Sequence, residues 1–190
     1  PPRMARFAAF APKIRLTLQV GNTTQAATLV AQGEADIAFV EGQVDVPALS
    51  TRVVGGDRIG LYAAAGHPLT KKAPTKRDIQ DASWVMREPG SGTRAHLEAG
   101  LTKARISIEQ LHVALELPSN GAVLEALDGS NLIAAASELA ATARVRAGLI
   151  APLDWPLPIR HFSQLVHRER TASKAVSAFV SSLAKPLTQP

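Results

Sequence analysis

Residues 87–94 read Arg-Glu-Pro-Gly-Ser-Gly-Thr-Arg, two arginines bracketing a glycine- and hydroxyl-rich loop. The chain that follows has helical spacing, with Leu97 and Leu101 at i, i+4. A helix starting there leaves backbone N–H groups unpaired and carries partial positive charge at its first turn. Ser91, Gly92, Thr93 and Arg94 would then form a cradle suited to an anion. Arg87 and Arg94 would add charge-assisted hydrogen bonds to a carboxylate, sulfate or phosphate. The same string also serves as an ordinary turn and helix cap, and spacing alone leaves both readings open. Polar groups of similar kind stand at Asn22 and Thr23, at Glu41 and Gly42, at Ser119 and at Ser137.

Other chemistries lack their residues. The histidines, His67, His96, His112, His161 and His167, include no i, i+3 or i, i+4 pair, so they read as structural or surface groups and no metal site is expected. The absence of cysteine removes disulfides, thiolate ligands and cysteine nucleophiles. Gly90-Ser91-Gly92 is not a Gly-x-Ser-x-Gly elbow, and there is no phosphate loop ending in Gly-Lys-Ser/Thr. No catalytic residue, metal or cofactor is therefore expected, and the chain does not read as an enzyme. The net charge of +5 permits an anionic partner, but the basic residues are dispersed and aromatics make up only 4% of 190 residues, which argues against direct nucleic-acid contact. No apolar run approaches the roughly 20 residues of a membrane span, and the start carries no leader pattern. Pro1-Pro2 without an initiator methionine is expected to open a fragment.

The elements that must position these groups alternate between periods of 2 and 3.6. After a helix over 4–10, Ile14, Leu16, Leu18 and Val20 alternate with polar residues, which predicts a strand with one buried face. A capped helix over 25–32 and an apolar strand over 37–40 would complete a βαβ unit. Strands are further expected over 58–64, 84–87, 112–117, 132–136 and 161–167, with helices over 95–103, 121–127, 138–146 and 173–183. A polar, lysine-rich segment runs to Asp78, and Pro152, Pro156 and Pro158 mark a linker near Trp155. This alternation predicts an α/β fold with mostly parallel sheets, in which ligands bind beyond the carboxyl ends of strands.

The order of motifs closely resembles the effector-binding domain of LysR-type transcriptional regulators. The resemblance is carried by residues 1–12, Gly21-Asn22-Thr23, residues 33–42 (Gly-Glu-Ala-Asp-Ile-Ala-Phe-Val-Glu-Gly), His67-Pro68-Leu69 and residues 87–94. The last of these is similar to the branch that includes regulators of carbon fixation and sulfur assimilation. The resemblance implies a type 2 periplasmic-binding-protein-like fold, two Rossmann-like lobes joined by two crossover strands. Lobe I would hold 1–58 plus 160–190, and lobe II 59–159. It also implies a small anionic effector in the interlobe cleft, with Asn22, Thr23, Glu41 and Gly42 facing Arg87, Ser91, Gly92, Thr93 and Arg94, and Ser119 and Ser137 as neighbours. The family's first strand and its Ser/Thr-bearing loop would precede Pro1, as would a winged helix-turn-helix through which alone DNA would be touched. Asp128-Gly129-Ser130-Asn131 stands where the family favours a Gly-x-Gly turn. Dimers of this domain, tetramers of the full-length protein and a cytoplasmic location are implied as well. The alternative is an exported solute-binding protein of the same architecture, with an enzyme on that fold a distant third.

Overall fold

The computed structural model describes residues 2–42 and 44–183. The elements run α1 (Pro2–Phe10), α2 (Thr23–Gln32), β1 (Ala38–Glu41), β2 (Leu49–Ala64), α3 (Lys76–Asp81), β3 (Ser83–Arg87), α4 (Gly92–Lys103), β4 (His112–Leu117), α5 (Asn120–Glu125), β5 (Leu132–Ser137), α6 (Glu138–Arg146), β6 (Ile150–Leu153), β7 (Ile159–His167) and α7 (Lys174–Leu183). A short 3-10 turn at Pro68–Thr70 is capped by His67.

The spine is β2, long enough to serve two lobes. Its first part, from Leu49 to Arg58, pairs antiparallel with β7, which also pairs antiparallel with β1. From Ile59 onward β2 leaves β7 and pairs antiparallel with β5 and β6. Only β3 lies parallel to its neighbours, β4 and β5. The sheet is thus mixed, against the expectation of mostly parallel strands. The reason is topological: β2 carries the chain out of one lobe and β7 brings it back alongside, so those two strands must oppose.

Period-two alternation builds the core of the second lobe on both faces of its sheet. Ile59, Leu61, Ala63, Trp84, Met86, Ile133 and Ala135 point to one side, where Leu97 and Leu101 of α4 cover them. Tyr62, Val85, Ala134 and Ala136 point to the other, under Val123 and Leu124 of α5 and Ala141 of α6. A sheet covered on both faces needs continuous apolar runs, which β5 supplies. The buried Trp84 indole donates to the carbonyl of Ile79 at 3.2 Å, satisfying its single polar atom. The first lobe has a smaller core of Ala27, Val30, Val40, Leu49 and Leu165.

Several expectations are corrected. Residues 14–20 form no strand and pair with no described one, leaving Leu18 57% and Val20 91% exposed. Alternation specifies which face would be buried, yet a strand also needs a neighbour for its backbone groups. Between this segment and the rest of the lobe lies a cavity of about 1280 Å³, bordered by Ile14, Leu16, Phe39, Val53, Val176 and Phe179. Val176, Phe179, Val180 and Leu183 of α7 line that cavity, although Phe179 makes an edge contact with Phe7 at 5.2 Å between ring centres.

The strand expected over 58–64 begins nine residues earlier. A bulge lies between Val53 and Gly55, and a Cβ on Gly56 would fall 2.5 Å from the carbonyl oxygen of Arg160. Glycine here permits close strand approach instead of ending the strand. The polar segment hides α3, whose signal was the capping box of Thr75 and Asp78. Part of the expected proline linker is β6, where Pro152 is tolerated because the strand pairs only with β2. α5 stops at Glu125, short of the expected end.

Candidate functional site

A cavity of about 490 Å³ lies where the two lobes face each other. Lobe I contributes the start of α2 and the end of β1; lobe II contributes the loop from β3 to α4 and the start of α5. Asn22 caps α2 in a reciprocal box with Gln25, each side chain accepting from the other's backbone N–H at 2.9 Å. That cap leaves the Asn22 amide to donate across the cleft to the carbonyl of Pro89 at 3.4 Å. Beside it, the Thr23 hydroxyl donates to the carbonyl of Glu41 at 2.9 Å, fixing the end of β1 against α2.

On lobe II, Gly90 takes φ +86 and turns the loop into α4. Its carbonyl accepts from the Thr24 N–H at 3.3 Å, a second direct bond between lobes. Ser91 occupies the N-cap position of the twelve-residue α4 but makes no side-chain cap bond. Its hydroxyl oxygen is buried without a partner among the described residues, and the residue is 2% exposed. An unpaired buried hydroxyl costs roughly 1–3 kcal/mol, so a cavity-lining one is poised for an external partner. Gly92 permits a close interlobe approach: a Cβ there would lie 2.0 Å from the Glu41 carbonyl oxygen.

Of the eleven residues singled out from the sequence, Asn22, Thr23, Glu41, Arg87, Ser91, Gly92 and Ser119 line this cavity. The other four do not. Gly42, at φ +91, donates its N–H to the carbonyl of His161. Arg94 turns to Glu98 at 2.8 Å, Glu116 at 2.5 Å and the Arg87 carbonyl at 3.1 Å, bracing lobe II. Thr93 and Ser137 join a buried cluster: the Thr93 hydroxyl donates to the Glu41 carboxylate at 3.2 Å, and the Ser137 hydroxyl to Asp57 at 2.6 Å.

Sequence reasoning missed Asn120 and Glu88 in the lining. The Arg87 guanidinium donates twice to Glu88, at 2.8 and 3.0 Å, and once to Asn120 at 3.1 Å. Burial pushes the Glu88 carboxyl up, but these bonds outweigh it and hold it below its usual range, with help from Asn22. Glu41, Arg87 and Glu88 are the charged residues among the lining, so the side chains supply no positive excess. The positive partial charges at the cavity are those of the α4 and α2 N-termini, beside the Ser91 hydroxyl. Also missed were Arg160 and Asp57, register partners on β7 and β2; a charged residue inside a strand pattern was the only available signal.

Four histidines are engaged in hydrogen bonds within the fold. Nδ1 of His67 and of His167 accept backbone N–H groups, His112 pairs with the Ser83 hydroxyl, and His96 reaches the Pro158 carbonyl. No group of three metal-ligating side chains occurs among the described residues. No described helix is long and apolar enough to cross a membrane.

This architecture, two α/β lobes on two crossover strands with a polar cleft between them, is the type 2 periplasmic-binding-protein-like fold. The chain belongs to the LysR substrate binding domain family, whose model matches residues 1–187. It is 27% identical over 186 residues to the uncharacterized HTH-type transcriptional regulator YeiE of Escherichia coli K12, covering 95% of this chain and 61% of YeiE. The chain thus spans less than two thirds of that relative's length. Among solved structures, it resembles the Synechocystis PCC6803 CcmR regulatory domain in complex with 2-PG, with a TM-score of 0.84 at 24% identity, covering 96% of this chain and 88% of that one. The effector binding domain of QuiR in complex with shikimate gives a TM-score of 0.81 at 16% identity, covering 96% and 87%. These similarities show a shared fold.

Proposed function

We propose that the chain is the effector-sensing domain of a LysR-type transcriptional regulator and binds a small anion in the interlobe cleft. The observation that carries this reading is the buried, unpartnered Ser91 hydroxyl at the N-terminus of α4, lining a cavity of about 490 Å³. The direct ligand-facing set is Asn22, Thr23, Glu41, Arg87, Ser91, Gly92 and Ser119, with Asn120 added from the structure. Gly42, Thr93, Arg94 and Ser137 support it from behind. Lobe I comprises 1–58 plus 160–190 and lobe II 59–159, a division favoured by the partner exchange of β2 at Arg58 and Ile59. Ligands in the CcmR and QuiR structures favour a small polar or anionic effector here too.

An effector touching both lobes binds the closed arrangement better, and that difference alone can bias the lobe angle. In the full-length protein the angle sets the spacing of paired DNA-binding heads, within dimers of this domain assembled as tetramers in the cytoplasm. YeiE's designation as an HTH-type regulator favours an N-terminal DNA-binding segment, and the family match favours this reading over an exported solute-binding protein. The unpaired segment 14–20 and the cavity of about 1280 Å³ beside it favour a preceding strand that fills lobe I. The role is binding, not catalysis.

A thermal-shift screen of the full-length regulator against sulfur oxyanions, dicarboxylates and sugar phosphates tests this. A ligand at 100 times its Kd adds about 2.7 kcal/mol. A stabilising compound whose effect disappears in Ser91→Ala supports the reading; a hit insensitive to Ser91, or none in the panel, opposes it.

A further inference from the structure

A buried charge cluster sits beneath the cleft without lining it. Arg160 on β7 is 1% exposed, and the side chain of Asp57 on β2 is sealed with it. A buried guanidinium is costly to desolvate unless its donors are used. Nε and Nη2 take both Asp57 oxygens at 2.7 and 2.6 Å, a fork that ties the two crossover strands together. Ser137, at the end of β5, donates to the same carboxylate. The Phe162 ring lies below the guanidinium, 5.3 Å from ring centre to Cζ.

Nη1 does something the strand pair does not require. It donates to the Glu41 carboxylate on lobe I and, at 2.9 Å, to the Thr93 hydroxyl in the first turn of α4 on lobe II. The Thr93 proton in turn reaches Glu41 at 3.2 Å, closing a three-membered circuit across the lobes. We infer that Arg160 is a positioning residue for the cleft, and that the Thr93 hydroxyl is the releasable half of a latch made only when the lobes are closed. When the lobes part, Arg160 keeps Asp57 and Glu41, so no buried charge is stranded. Opening gives up the bonds of this hydroxyl together with the Asn22–Pro89 and Thr24–Gly90 contacts across the cleft, a bias that an effector bridging the lobes reinforces. Ser91 stands two residues before Thr93 in the same turn of α4, so a ligand held by Ser91 draws Thr93 onto Arg160. This consequence rests on the effector site proposed above; the latch itself can be tested without an effector.

The chain has no cysteine, so nitroxide labels at Gln32→Cys on lobe I and Asp128→Cys on lobe II report the interlobe distance cleanly. Both residues are exposed. Without ligand, the labelled protein is expected to give one dominant short distance. Thr93→Val moves the open-to-closed ratio at least about tenfold toward open, the effect of losing two charge-assisted bonds. Thr93→Ser retains the short distance. Glu41→Ala also opens the cleft, and the Thr93→Val/Glu41→Ala double variant opens no further than the larger single change, because both act on one latch. A Thr93→Val distribution like the parent's, a Thr93→Ser that behaves like valine, or additive single effects would each overturn the inference. Inorganic sulfate titrated into the labelled Thr93→Val protein, in which the open form is populated, separates the two proposals. A return toward the short distance supports the effector site, whereas no response alongside the expected Thr93 series counts against the site and leaves the latch standing.

Discussion

Gly92→Ala separates lobe closure from lobe folding. The added Cβ would lie 2.0 Å from the carbonyl oxygen and 2.7 Å from the carbonyl carbon of Glu41, with the Thr23 hydroxyl at 2.8 Å. A relaxed carbon–oxygen contact is about 3.3 Å, so lobe I must retreat by about 1.3 Å at this point. The obstacle is mainly backbone, which cannot turn aside. Within α4 the substitution is benign: alanine at the first helical position is favoured over glycine by up to about 1 kcal/mol. Closure should therefore fail while the melting temperature holds or rises. Effector contacts from Asn22 and Thr23 on lobe I would be lost at about 0.5–1.5 kcal/mol each, together about 1–3 kcal/mol or roughly 5- to 150-fold in affinity. Isothermal titration of parent and variant with the hit from the anion screen, beside their thermal melts, reads both quantities. A variant that binds with parental affinity would refute the closure argument. One that no longer folds would show that Gly92 serves the core instead.

Ser91→Ala removes an unpaired buried hydroxyl, so the unliganded protein should melt at the same temperature or higher while the ligand-induced shift shrinks; a lower unliganded melting temperature would mean that the hydroxyl is already satisfied. For Asp57, burial pushes the carboxyl up, but the hydrogen bonds from Arg160 and Ser137 outweigh it and hold the group below 3.8. A folded value beneath the unfolded one contributes stability above about pH 3.9 that is lost as pH falls through the folded value. Asp57→Asn should thus lower stability at neutral pH by about 3 kcal/mol and flatten the acid limb of denaturation below about pH 4, where an unchanged slope would contradict the assignment. Arg94→Gln should cost about 1 kcal/mol in chemical denaturation and leave effector affinity unchanged, because its guanidinium serves Glu98, Glu116 and the Arg87 carbonyl.

The legible parts of the sequence were those in which one local rule decides the outcome. Asn22 caps α2 as its residue type suggests, and Ser91 and Gly92 stand at the head of α4 as the helical spacing after them suggests, all three at the cleft. The strands β3, β4 and β5 follow from alternation and apolar runs. Readings failed where a partner distant in sequence decides. Residues 14–20 alternate correctly but have no paired neighbour among the described residues, and the part of β2 before Arg58 is held by its pairing with β7. Arg94, read as a cleft residue, is turned from the cavity in part by Glu116, 22 positions on, whereas Arg87 lines the cavity paired with its neighbour Glu88. Arg160 and Asp57, 103 positions apart, carry no mutual signal until the crossover strands place them in register.

The central claim is that a small ligand binds between the lobes at the N-terminus of α4. Amide chemical-shift mapping of the isotope-labelled protein, titrated with the hit from the anion screen, tests it most directly. The account predicts saturable shifts concentrated at Asn22, Thr23, Ser91, Gly92, Thr93 and Asn120, absent from the same titration of Ser91→Ala. Shifts confined to one lobe, or mapping away from α4, would contradict it.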